Sequence, residues 1–433
     1  MTEPAAVEPE RARPRVEAFR APKGTRDLLP PASTRTRRLV AAFATLAEQA
    51  GYGEVVVPMF EELGVFSRLG EATDVVTKEM YDFIDKGGRR IALRPEQTAP
   101  VVRAFVEHRP PAPWKVWYAG PNFRYERPQK GRYRQFDQVG VEVLGVDDPQ
   151  ADVEVIALAW RFYAALGLRQ VVLKLNSLGD VGDRARYAEV LRAHFEGRAE
   201  DLSAAARETL ERNPLRLLDS KRPEDAAAVA VAPSILDGIS AAAAAHLDEV
   251  RAGLDALAIP YVLEPRLVRG LDYYRRTTFE FAGDALDGAQ DALGGGGRYD
   301  GLVEALGGPP TPGIGFALGV DRVLLACDAE ATFPAPPTAL TAFVIDTTGG
   351  REATSLCEAL RAAGIGADRA WDGRSLKAQM KAAGQSGAAV AVIIGTSEVA
   401  DGAAVVRDLR ASEQAVVRRG DVIDHVRKLV QRP

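Results

Sequence analysis

The residues with the most chemistry sit where polar and apolar side chains alternate. In Gln135-Phe136-Asp137-Gln138-Val139-Gly140-Val141-Glu142-Val143-Leu144 an extended chain sends successive side chains to opposite faces. Val139, Val141 and Val143 then share one apolar face, and Gln138, Gly140 and Glu142 the other. A glycine between an amide and a carboxylate leaves a hollow for a small ligand; the plainer alternative is a sheet face turned to water. Arg94, Glu96 and Thr98 follow the same two-residue spacing around Pro95 and are expected to project together if that segment stays extended. Arg124 and Glu126 repeat the spacing ahead of the loop Arg127-Pro128-Gln129-Lys130-Gly131-Arg132. In Arg269-Gly270-Leu271-Asp272-Tyr273-Tyr274 an arginine precedes paired tyrosines at an expected strand start. A guanidinium donates two parallel hydrogen bonds and stays charged, which suits phosphate. Carboxylates and phenols suit an amine or an imidazole. Together these residues describe a site for a nucleotide and a small cationic molecule.

Two glycine-containing segments stand beside them. Gly294-Gly295-Gly296-Gly297-Arg298-Tyr299-Asp300 reads as a run between elements. It is followed by no Gly-Lys-Ser/Thr and lacks the spacing of a dinucleotide fingerprint. It is either a flexible turn or a place where backbone approaches a ligand closely. Gly313 to Arg322 reads as strand, turn and helix start, which sets Arg322 beside a ligand lying on the sheet.

The elements that must hold these residues follow from periodicity. Leu39, Val40, Phe43, Leu46 and Ala47 recur at helical spacing, and Glu54 to Pro58 reads as a buried strand. Lys86-Gly87-Gly88 between two short apolar runs predicts a hairpin. A helix is expected from about Thr98, strands around Val116 and Gln135, and a strongly amphipathic helix over 152–166. Residues 179–258, rich in Ala, Leu, Arg and Glu, predict a helical insertion. The proline-rich stretch 333–340 marks a linker, after which residues 341–433 alternate strand and helix as a small α/β domain with a largely parallel sheet. Residues 1–19 read as a mobile tail, leaving 20–332 as the domain that carries the site.

Composition narrows the class. The 433 residues are 46% hydrophobic and 27% charged with a net charge of -5, so any RNA contact must use clustered basic patches. Two distant cysteines, Cys327 and Cys357, and four scattered histidines offer no disulfide framework and no metal-ligand spacing; no metal site is expected. Without an apolar leader or a run of about 18 apolar residues, neither secretion nor a membrane partner is expected, and the chain is placed in the cytoplasm.

In order, these segments resemble histidine–tRNA ligases over nearly the whole chain. The resemblance rests on Lys23-Gly24-Thr25-Arg26-Asp27, the Leu93–Thr98 segment, Phe123–Gly145 as the second class II signature, and Leu267 to Tyr274. It is completed by the Gly-Gly-Arg-Tyr-Asp segment and by Gly313–Arg322 as the third signature. It implies an α+β fold: a class II antiparallel sheet flanked by helices, usually in a homodimer, followed by an anticodon-binding domain. By the same resemblance Glu96, Thr98 and Gln138 hold the amino group of histidine, Gln97 also belongs to the histidine site, Glu142 and Tyr274 read the imidazole, and Tyr273 and Tyr299 line the pocket. Arg124 and Arg269 are the expected catalytic pair, on the α-phosphate and the carboxylate. Glu126, Arg132, Phe136 and Arg322 belong with ATP, which brings Mg2+; Arg127 and Gln129 approach the acceptor end of histidine tRNA. Tyr125 and Asp321 depart from the family, where histidine and glutamate are common. Relatives that serve as a non-catalytic subunit of ATP phosphoribosyltransferase lack the last domain and degrade the Arg-Gly-Leu-Asp-Tyr-Tyr and glycine segments, all of which are present here.

Overall fold

The computed structural model describes residues 18–68, 78–270, 272–286, 291–337 and 339–431. Most of the expected tail and Leu271 lie outside the described residues. The chain divides into two compact units, one ending at Pro334 and one beginning at Ala335.

The first unit is built on strands β1 (Gly53–Glu54), β2 (Phe60–Glu62), β3 (Tyr81–Ile84), β4 (Arg90–Leu93), β5 (Trp114–Phe123), β6 (Gln135–Leu144), β7 (Val171–Ser177), β8 (Val262–Leu263), β9 (Arg275–Gly283), β10 (Ala292–Arg298) and β11 (Gly313–Gly319). Eight of them form one sheet in the order β1-β5-β6-β11-β10-β9-β7-β8. The six central strands are antiparallel, and the two-residue strands β1 and β8 add parallel edges. β2, β4 and β3 make a small antiparallel sheet that contains the expected hairpin.

Alternation in β6 works as expected on one face: Val139, Val141 and Val143 are buried in the main core. Behind that face runs the helix Pro149–Ala165, started by Asp148, whose side chain accepts from the Gln150 amide at 2.8 Å, and by a proline at its first turn. This helix is not strongly amphipathic. Val153, Val155, Ile156, Leu158, Phe162 and Tyr163 are all buried, because the helices Ala32–Gln49 and Ala241–Ala256 cover its other sides.

Two further expectations are corrected. Glu54 to Pro58 is not a buried strand: pairing stops after Glu54 apart from one bond from Val55 to Trp117, and Val56 is 85% exposed. This is a sheet edge, and Pro58 has no amide hydrogen to extend it. The glycine run is no turn but the middle of β10, paired to both β9 and β11. The insertion has its own core, including Leu191, Phe195, Leu210 and Leu217, but its last helix, Ala241–Ala256, places Leu247, Val250 and Leu254 in the main core instead.

The second unit carries β12 (Ala342–Asp346), β13 (Ala367–Arg369), β14 (Val390–Ile394), β15 (Ala403–Asp408) and β16 (Gln414–Arg418), ordered β13-β12-β14-β15-β16. Its sheet is mixed rather than largely parallel: β15 and β16 pair antiparallel. The connections after β14 and β15 are shorter than the roughly dozen residues that a parallel crossover needs.

One ion pair locks β10 to the helix behind it. Arg298 and Asp152 are fully buried and meet at 2.6 Å; His246 Nε2 lies 2.8 Å from the other Asp152 oxygen. Arg298 also donates to the carbonyls of Val146 and Asp148, both at 3.0 Å. Asp152→Ala strands a buried guanidinium and is expected to destabilise the fold by about 3–5 kcal/mol. Denaturant unfolding checks this; a loss below about 1 kcal/mol, the scale of an exposed pair, contradicts it.

Candidate functional site

On the sheet face opposite the Val139-Val141-Val143 core lies a cleft of about 910 Å³. Glu96, Thr98, Arg124, Glu126, Arg132, Phe136, Gln138, Arg269, Tyr273, Tyr274 and Arg322 all line it. Gln97, Glu142, Tyr299, Arg127 and Gln129 are not among the lining residues.

The central strand explains where Arg269 can be. A Cβ on Gly295 would stand 2.7 Å from the Arg269 guanidinium carbon and 2.5 Å from the Phe279 carbonyl oxygen. Only bare backbone admits the arginine so close to the sheet. Arg269 lies in a loop before β9, not at a strand start. Its Nη1 donates to Glu280 at 2.8 Å, while its buried Nε has no partner among the described residues. Lys174 stands beside the same carboxylate at 3.8 Å and beside Asp291 at 3.4 Å. Glu280, Lys174 and Asp291 line the cleft and were missed in the sequence. For two of them the signal was there: Glu280 lies between the core residues Phe279 and Phe281, and Lys174 between Leu173 and Leu175.

The hollow expected at Gly140 is occupied from the neighbouring strand. A Cβ there would stand 2.5 Å from the Tyr118 hydroxyl. That hydroxyl donates to Glu142 Oε1 at 3.2 Å; Thr98 donates to the same oxygen at 2.7 Å, and Tyr299 to Oε2 at 2.6 Å. Glu142 is therefore fully buried beneath the cleft wall, and burial pushes its carboxyl up to about 8. Glu96 reaches the cleft itself. Its oxygens accept from the amides of Thr98 at 2.7 Å and Ala99 at 2.9 Å, which start the helix Thr98–His108. Burial raises its pKa, and those amides oppose the rise.

The helix start also breaks the expected alternation. Arg94 does not project with Glu96 and Thr98; it turns back to the carbonyls of Pro121 at 2.8 Å and Val57 at 2.7 Å and is buried. Gln97 is likewise turned away, donating to the Gly120 carbonyl at 3.3 Å. Gln138 stays in the cleft, its amide oxygen accepting from the buried Asn122 at 2.8 Å.

The other end of the cleft is cationic. Arg124 donates to the Pro95 carbonyl at 2.9 Å and its guanidinium lies 5.2 Å from the Phe136 ring centre. Arg132 faces Glu126 at 3.5 Å, and Arg322 is fixed by the Ala292 carbonyl at 2.7 Å. Burial, with Arg132 and Arg124 nearby, holds the Arg322 guanidinium below its ordinary range. The Lys23–Asp27 segment joins this end: Arg26 pairs with Asp321 and lies 3.9 Å from the Tyr133 ring centre. Tyr125 lies under the Arg134 guanidinium, 3.7 Å from it.

A row of arginines for polyphosphate beside a buried carboxylate for an ammonium group suits activation of an amino acid by a nucleotide. Comparison with known proteins gives the class and then the family. Residues 24–323 match the family model for histidyl-tRNA synthetase, and residues 342–429 match that for an anticodon binding domain. The histidine–tRNA ligase of Rhodococcus erythropolis is 49% identical over 425 residues, covering 96% of this chain and 99% of the relative. That of Geobacillus kaustophilus is 47% identical over 414 residues, covering 94% and 97%. The crystal structure of apo S. aureus histidyl-tRNA synthetase superposes with a TM-score of 0.79 at 36% identity, covering 94% of this chain and all of that one. The fold is that of a class II aminoacyl-tRNA synthetase. The chain belongs to the histidyl-tRNA synthetase family.

The buried Glu142 gives the fold a pH signature. The folded carboxyl keeps its proton up to about 8, whereas its ordinary value is 4.5. Between these values the unfolded chain has released the proton and the folded chain has not, so raising the pH favours unfolding. Glu142→Gln is expected to flatten the fall in melting temperature across that window; an unchanged slope contradicts the assignment.

Proposed function

We propose that this chain joins histidine to its tRNA by way of histidyl-adenylate, consuming ATP and releasing AMP and pyrophosphate. Arg269, seated on Gly295 in a cleft that also holds Glu96 and the tyrosine pair, carries this reading. Glu96, Thr98 and Gln138 hold the ammonium group of histidine. Tyr273 and Tyr274 flank the imidazole, and Glu142 acts on it from beneath through the Thr98 and Tyr299 hydroxyls. The carboxylate attacks the α-phosphate, and the terminal 3′-hydroxyl of the tRNA then attacks the acyl carbon. Arg124 and Arg269 neutralise the charge that develops at phosphorus. Phe136 and Arg322 sandwich adenine, with Glu126 and Arg132 nearby. Alignment and charge supply the catalysis, since no protein group need form a covalent bond.

Among the described residues no cluster of three or more His, Cys, Asp or Glu side chains suits a metal ion. Glu126 and Glu280 each offer the cleft hard oxygens of the kind that hold a hydrated Mg2+ with nucleotide phosphates. Bound there, the ion would offset phosphate charge. Arg127 and Gln129 meet the acceptor end of the tRNA, and the unit from about 341 onward takes the anticodon, with 333–340 as linker and about 179–258 as the insertion. Exposed apolar side chains at Val56, Met59, Phe60, Phe83 and Ile84, each at least 45% exposed, support a homodimer. Two free, buried cysteines fit a reducing cytoplasm, and among the described residues no single helix is long and apolar enough to cross a membrane.

ATP–pyrophosphate exchange with each amino acid in turn tests this. Exchange with histidine alone, by a protein that sediments as a dimer, is expected; no exchange with any amino acid contradicts the reading. Arg269→Ala is expected to slow single-turnover adenylate formation by about 100-fold or more, and a near-normal rate removes Arg269 from its role.

A further inference from the structure

The loop that carries Arg269, Tyr273 and Tyr274 has a second side, turned toward the inserted helices. There Asp272 Oδ1 accepts from three donors: Arg184 Nη2 at 3.1 Å, Arg216 Nη2 at 3.2 Å and Asn213 Nδ2 at 3.3 Å. Arg184 lies in the first turn of the helix Val181–Glu196, and Asn213 caps the turn Pro214–Asp219, so both pieces of the insertion are represented. The same arginines hold the loop backbone. Arg216 donates to the Gly270 carbonyl at 2.8 Å, and Arg184 to the Asp272 carbonyl. The side chains of Asp272, Arg184 and Arg216 are 16%, 24% and 20% exposed, so water screens this cluster only in part.

Packing runs the same way. Tyr274 is buried as a member of the insertion's own hydrophobic cluster, which also includes Leu215 and Leu217, and its ring centre is 4.6 Å from that of Tyr273. Leu218, Lys221 and Val229 of the insertion line the cleft beside both tyrosines. The insertion is thus a wall of the site as well as an appendage that could meet RNA. Without the Asp272 carboxylate, Arg184 and Arg216 would face each other as like charges, and the loop would be left with its backbone contacts alone.

We propose that the inserted helical region positions the histidine pocket for adenylate formation, before any tRNA binds, and that Asp272 is the positioning residue that ties the two together. This rests on the reading that Tyr273 and Tyr274 line that pocket. The contacts fix the loop backbone at Gly270 and Asp272, just ahead of the tyrosines, and touch nothing at the adenine end. Their loss therefore acts mainly on histidine, because Arg132, Phe136 and Arg322, which hold ATP, lie on other elements and keep their places when the loop that carries Arg269 shifts.

The test is ATP–pyrophosphate exchange by the full chain without tRNA. Asp272→Ala is expected to raise the histidine KM by about tenfold or more, the scale of a misplaced binding group, while the ATP KM stays within about twofold. Asp272→Asn keeps an acceptor oxygen and is expected to restore much of the loss. Adding Arg216→Ala to Asp272→Ala is expected to cost less than Arg216→Ala costs alone, because the two residues share one contact and only the bond from Arg216 to the Gly270 carbonyl is left to lose. If Asp272→Ala does not fold, Arg216→Ala alone carries the same expectation of a histidine-specific rise. An unchanged histidine KM, an equal rise in both KM values, or fully additive losses overturn the inference. Wild-type exchange with histidine beside an unaffected Asp272→Ala enzyme overturns only this inference; no exchange in the wild type overturns the function as well.

Discussion

Everything in the cleft depends on how closely an arginine can approach a β-sheet. Gly295 has strands on both sides and Arg269 above it, with 2.7 Å between the guanidinium carbon and the place a Cβ would fill. A strand with side chains there would lift the cation away from the floor, and a phosphate resting on it would be lifted too. A glycine-rich strand is weak by itself, since it has little to pack and much entropy to lose. The fold offsets that weakness by placing β10 centrally and by anchoring its end through the buried Arg298–Asp152 pair. The three residues after the glycines divide the work. Arg298 holds the helix behind, Tyr299 holds Glu142 below the cleft, and Asp300 accepts from the Gly313 amide at 3.0 Å.

The polar groups of the site are likewise held by other polar groups of the protein. Glu142 is surrounded by hydroxyls, Glu96 by a helix start, Gln138 by Asn122 and Arg269 by Glu280. Each partner fixes a rotamer before a ligand arrives, which is the physical content of preorganisation. The site is thereby tied to remote elements. Arg26 near the start of the chain reaches Asp321 at the third signature, and Arg184 and Arg216 in the insertion reach Asp272.

Much of this was legible in the sequence, for reasons that vary by residue. The alternation around Val139 and Glu142 reports a two-faced strand, because side chains in a strand have no other way to point. The hairpin at Gly87-Gly88 and the strand–helix join at Gly319 follow from local turn and capping chemistry. What local pattern cannot give is what lies across the sheet. The hollow at Gly140 is filled by Tyr118 from β5, and Arg94 is turned away by the carbonyls of Pro121 and Val57. Four consecutive glycines carry no periodicity, so a central strand looks like a turn until its partners are known. The resemblance to a known family supplied the grouping of the arginines and tyrosines, which spacing alone left as scattered pairs. It did not show that Gln97 faces away from the cleft or that Glu142 sits beneath its wall.

The central claim is that Arg269, on its glycine seat, meets the α-phosphate while the tyrosine pair meets the imidazole. A crystal structure with a non-hydrolysable histidyl-adenylate analogue tests it most directly. The account predicts the analogue's phosphate within hydrogen-bond distance of Arg269 and Arg124, with its imidazole beside Tyr273 and Tyr274. A phosphate bound elsewhere in the cleft, with Arg269 still held by Glu280 alone, would contradict it.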